Sequence, residues 1–172
     1  MAVVQNTYQE RVDKGIAGMP ASTSPCVKDT YIADGSNGIP YGRAVKRSVA
    51  GDGHASLGVG GNSSTAGDAN DWIGVSFRDL AVVGTDNDTL IDRYKDNDLM
   101  VVASMGDIWV EVEAAVTVGQ QATASRLTGE ISAIAVNAAT DNTGQYSLPG
   151  AYFLTSASAG GLAKLRLGTF NR

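Results

Sequence analysis

The apolar positions of this chain fall in short alternating runs, broken by glycine and by clusters of Asn and Asp. In Asp107-Ile-Trp-Val-Glu-Val-Glu113, Ile108, Val110 and Val112 share one face while Trp109, Glu111 and Glu113 share the other, the period of two expected of a half-buried strand. Trp72-Ile-Gly-Val-Ser-Phe-Arg78 places Ile73, Val75 and Phe77 together in the same way. Residues 99–103 read as a buried strand, and Met105-Gly106-Asp107 as a tight turn that joins it to the next strand as a hairpin. Further strands are expected at residues 41–49, 115–118, 131–136, 152–155 and 163–167. So many short, glycine-bounded strands predict an all-β fold, a single β-barrel or β-sandwich domain over residues 39–172.

Residues 1–38 lack sustained periodicity and carry Gly15, Gly18, Pro20, Pro25, Gly35 and Gly38, which leaves room for one short helical piece at residues 7–14 and no more. They read as an extended N-terminal arm, which either straps its own domain or lies on a neighbour. Its scattered apolar side chains, Val3, Val4, Tyr8, Val12, Ile16 and Met19, are too few for a core and suited to filling grooves on another protein. Two loops are long, residues 50–71 and 137–144. The first exceeds the length at which structureless connections are common, and its Gly, Ser and Asn favour mobility.

Composition narrows the functional classes. Of 172 residues 21 are glycine, about 12% against a usual value of roughly 7%, in keeping with many turns. The net charge of −5 makes nucleic acid a poor partner. Charge is unevenly spread: residues 1–47 carry +2, residues 48–113 carry −9 and the remainder +2, so a mildly basic N-terminal segment stands beside an acidic middle, and the molecule is suited to meeting different surroundings at different parts of its surface. Cys26 is the single cysteine, which excludes an internal disulfide framework and a multi-cysteine metal site. No apolar run approaches the roughly 20 residues that span a bilayer, and the first residues lack a signal-peptide pattern, so the expectation is a leaderless protein with no membrane partner.

Catalytic chemistry finds little support. The single histidine, His54, sits in Gly51-Asp-Gly-His-Ala-Ser56 without a Gly-x-Ser-x-Gly elbow, and a solvated loop histidine is the simpler reading. Gly58-Val-Gly-Gly61 has Ser63 where a dinucleotide fingerprint needs its third glycine. Asp86-Asn-Asp88 begins like a calcium loop, but Leu90, Ile91 and Asn97 occupy positions that need a ligand, a glycine and a glutamate. No cofactor or metal is expected, and no enzymatic activity. Trp109 is more informative: a large aromatic on the outer face needs cover, either from the chain's own arm or a loop, or from a subunit or partner.

The order of features resembles the structural cement, or decoration, proteins of tailed bacteriophage capsids. The resemblance runs over most of residues 1–136. It is carried by Gly15-Ile-Ala-Gly-Met-Pro20, Tyr41-Gly-Arg-Ala-Val45, Ile73-Gly-Val-Ser-Phe-Arg-Asp79, and the stretch from Tyr94 through Leu99-Met-Val-Val102 to Met105-Gly-Asp-Ile-Trp-Val110. It implies a β-rich barrel made in the host cytoplasm, which sits on the outer face of the virion capsid. There it bridges adjacent major capsid protein subunits, without catalysis, as a homo-oligomer, dimer or trimer. Arg43 and Arg47, with the arm residues and Trp109, are the candidate interface. The alternative from another class is a carbohydrate-binding or adhesive β-sandwich with Trp72 or Trp109 as sugar platform; a small hydrolase built on His54 ranks below both.

Overall fold

The computed structural model describes residues 15–59, 72–78, 92–133 and 145–168. No helix occurs among them. The strands are β1 (Val27–Ala33), β2 (Ile39–Pro40), β3 (Ala44–Arg47), β4 (His54–Leu57), β5 (Trp72–Ser76), β6 (Arg93–Tyr94), β7 (Leu99–Glu111), β8 (Gln121–Ser125), β9 (Ile131–Ala133), β10 (Gln145–Phe153) and β11 (Leu162–Leu167). Strands β1, β4, β3, β5 and β7 are hydrogen-bonded in that order, and β1 pairs back onto β7, which closes a five-stranded barrel. Within the ring β1 and β4 are parallel and the other pairs antiparallel. From β7 the sheet continues through β11, β10, β8 and β9.

Each ring strand sends side chains into the barrel. Tyr31 and Ala33 of β1, Ala55 and Leu57 of β4, Val45 of β3, Ile73 of β5, and Met100 and Val102 of β7 form one apolar cluster with Tyr41. The short β2–β6 ribbon adds Ile39 and Tyr94, paired directly across it. Tyr94 is fully buried, yet its hydroxyl is satisfied: it donates to the Phe77 carbonyl and accepts from the Val101 N–H at 3.3 Å. A second, larger core lies outside the barrel. It holds Val75 and Ala103 from the ring, Phe77 just after β5, Ile108, Val110 and Val112, and Leu148, Phe153, Ala163 and Leu165 from the added strands.

β7 belongs to both cores. Residues facing the larger core switch from odd (Val101, Ala103) to even (Ile108, Val110, Val112) across its middle. A register shift against β1 falls at Val27/Lys28, and Gly106 there has a φ of 118°, open to glycine and strained for other residues. This corrects the turn expected at Met105-Gly106-Asp107: the glycine rotates a continuous strand of 13 residues rather than ending one.

Other expectations shift too. Residues 27–33, inside the stretch read as arm, are a barrel strand, and the long loop from residue 50 contains β4, so His54 stands in a strand. Ile73 parts company with Val75 and Phe77, packing inside the barrel while they face the larger core; a bulge at Val45/Lys46 opposite β5 breaks the alternation. Of residues 115–118, Val116 alone bridges, to Ala157. Tyr41 and Gly42 form a turn ahead of β3. Residues 7–14, 134–136 and 137–144 lie outside the described residues.

Candidate interaction surface

Residues 15–21 form a strap on β7. Gly18 donates its N–H to the Trp109 carbonyl at 2.8 Å, Trp109 donates to Met19 O at 2.9 Å, and Ala21 donates to Asp107 O at 2.8 Å. On its other side the strap accepts from Arg78, N–H to Gly18 O at 2.8 Å. Pro20 lies opposite Ile108 in antiparallel register. Trp109 is half-buried, with Ile108, Val110 and Val112 buried behind it and Glu111 and Glu113 exposed, as the alternation predicted. Its ring rests on Gly15: a Cβ there would stand 2.2 Å from Trp109 Cδ1. Lys164, opposite Trp109 on β11, holds its Nζ 5.2 Å from the indole ring. Of the two covers considered for this tryptophan, the chain's own arm supplies one.

A second attachment fixes the strap's far end. Asp107 is 5% exposed and receives two hydrogen bonds from Arg166, Nε to Oδ1 at 2.7 Å and an Nη to Oδ2 at 2.9 Å. Ser22, just beyond the strap, donates its hydroxyl to Oδ2 at 3.0 Å. The Arg166 hydrogen bonds hold the Asp107 carboxyl below the usual carboxylate range; burial opposes this, and Ser22 reinforces it. The hydrogen bonds it donates to Asp107 raise the Arg166 guanidinium in turn. The sequence pattern marks Asp107 as a turn residue and does not single out Arg166 or Ser22, although a carboxylate inside the apolar run from Val101 to Val112 is a signal of a buried pair.

The other candidates disperse. Val3, Val4, Tyr8 and Val12 lie outside the described residues. Ile16 is 50% exposed beside the Trp109 face, while Met19 is half-buried. Arg43 faces Glu130 at 3.2 Å, an ion pair within the chain. Arg47 is exposed and lines a shallow cleft with Tyr31, Asp52 and His54, away from the strap. Trp72 is buried, with its Nε1–H donated to Gly74 O at 2.8 Å, so it offers no open ring to a sugar. Asp92 pairs with Arg78, Asp96 caps the Gly35 N–H and Asp98 the Lys95 N–H. No group of three potential metal ligands occurs among the described residues.

The fold has a counterpart in a solved structure. A chain of the capsid of Myoviridae phage XM1 superimposes with a TM-score of 0.66 at 17% identity, over 98% of this chain and 99% of that one. The head fibre gp8.5 N base of bacteriophage phi29 matches with a TM-score of 0.44 at 13% identity, over 86% of this chain and all of that one. No curated protein matches the sequence. The fold class is therefore an all-β barrel shared with a phage capsid component. The chain belongs to the structural cement protein family (E217 gp24/Pam3 gp6), whose sequence model matches residues 4–168. It is a capsid-associated structural protein of the phage virion.

Proposed function

We propose that the protein clamps the outer surface of a phage head by bridging adjacent major capsid protein subunits, and that it does so without catalysis. The observation that carries this reading is the strap. Gly15 is pinned to Trp109, so the 14 residues before it join the body at one fixed face, next to the exposed Ile16. Those residues include Val3, Val4, Tyr8 and Val12, the apolar side chains expected to fill grooves on a neighbour.

A clamp of this kind works by linkage. It binds the assembled lattice and not the dispersed subunits, so each occupied site adds its binding free energy to the shell. At a free concentration one hundred times Kd this is about 2.7 kcal/mol per site. The local charge of +2 over residues 1–47 assists approach to an acidic shell but is screened by salt, so apolar burial supplies more of the affinity.

Cosedimentation with capsids that lack the protein tests the reading. Saturable binding and a rise in the capsid's thermal transition are expected. Removing residues 1–14 should weaken binding at least about tenfold, or roughly 1.4 kcal/mol. Failure of the full chain to bind bare capsids would overturn the proposal.

A further inference from the structure

The strap is attached differently from the strands it joins. Neither apolar core includes a side chain of residues 15–25. What holds the strap is a set of backbone hydrogen bonds to Asp107, Trp109 and Arg78, the Ser22 hydroxyl on Asp107, the seat of Trp109 on Gly15, and the close approach of Ala17 and Gly18 to the Tyr41–Gly42 turn. Elements with so little apolar burial open well below the global unfolding free energy. The linker that follows, Ser22-Thr-Ser-Pro25, is exposed throughout. Its far end is fixed because residues 25 and 26 cross Gly106, where a Cβ would stand 3.0 Å from Cys26 Cα.

Lifting the strap leaves a defined vacancy on β7: the Trp109 N–H, the carbonyls of Trp109 and Asp107, an uncovered indole and a carboxylate short of one donor. The occupant must place a residue without a side chain against the indole. It must also present N–H, carbonyl, N–H at the spacing of residues 18, 19 and 21, then a hydroxyl at the next residue. Residues 15–22 of this sequence meet all of these conditions, in a second copy as well as in the same one.

We propose that the strap exchanges between copies, so that residues 15–21 of one molecule pair with Asp107–Trp109 of another. Every contact is kept in the exchange, and the balance is set by the linker and by the entropy of association. The linker from Ala21 to Cys26 spans at most about 17 Å when extended, so exchange joins molecules in near contact. If the protein clamps capsids as proposed above, the lattice supplies the high effective concentration that favours exchange. Exchange in concentrated solution does not depend on that reading.

The test uses full-length protein carrying Ile16→benzoylphenylalanine, a photocrosslinker at a half-exposed strap position beside Trp109. Light and isotopically heavy chains are mixed in denaturant, refolded together, and irradiated in concentrated solution and on bare capsids. Mass spectrometry then sorts crosslinks from residue 16 to peptides of β7 and β11. Exchange predicts heavy–light crosslinks, which approach the like-labelled ones in amount as exchange nears completion, and loss of both classes in a Gly15→Val background. Like-labelled crosslinks alone, in both settings, would overturn the proposal. Heavy–light crosslinks in solution with no capsid binding would leave exchange standing and remove the clamp reading instead.

Discussion

Two residues show how much depends on single polar groups in this barrel. Tyr94 fills the barrel core, meets Tyr41 edge-on at 5.0 Å between ring centroids, and satisfies both the Phe77 carbonyl and the Val101 N–H with one hydroxyl. Tyr94→Phe keeps the ring and strands two backbone groups, so urea melts should show a loss of about 1–3 kcal/mol. Asp107 acts through charge. Its folded pKa lies below its unfolded value of about 3.9, so the stability it contributes is present above that pH and is lost as the pH falls through the folded value. Wild type should therefore exceed Asp107→Asn in urea midpoint at pH 7, and the gap should close in titrations carried below about pH 4. Sequence patterning placed Trp109 on the outer face because the alternation of residues 107–113 is strict. Asp107 escaped it, because a neighbouring glycine made a turn the simpler reading of a polar residue.

Among the elements, those legible in sequence were strands with one dry face, such as β11 and the second half of β7. Those missed had other reasons to be strands. β1 reads Val-Lys-Asp-Thr-Tyr-Ile-Ala and points only Tyr31 and Ala33 into the barrel, with Lys28 and Thr30 exposed. β4 contributes only two inward residues, Ala55 and Leu57, within a Gly- and Ser-rich stretch. β2 and β6 have two residues each, too short for any period. Because β1 closes the ring, truncations on its two sides should differ. Removing residues 1–14 should move the thermal midpoint by no more than a few degrees, whereas removing residues 1–38 opens the barrel and should abolish the cooperative transition in a circular dichroism melt.

At the scale of the molecule, the shared strand makes two cores into one cooperative unit. Met100 anchors the barrel interior and Leu165 the larger core, and both are fully buried. Alanine at either position should cost about 2–5 kcal/mol. Calorimetry should find one transition that shifts as a whole in both variants, with calorimetric and van't Hoff enthalpies equal. Two separated transitions would mean that β7 does not couple the halves. The family assignment draws on nearly the whole length of the chain, residues 4–168, which no single motif in the sequence matched in reach.

Closure of the barrel by its first strand on β7 also has a consequence in time. Ile32 pairs with Leu99, so β1 leaves the ribosome well before its partner does. At roughly 5–20 residues per second the wait is on the order of 3–13 s, long compared with the microseconds in which a local hairpin forms. During synthesis the strap and β1 are thus an early product held without their native edge, and exchange would let them take the finished β7 of a chain ahead on the same polysome before their own exists. If straps exchange between copies, the order of manufacture as well as equilibrium then decides which copy a strap ends on.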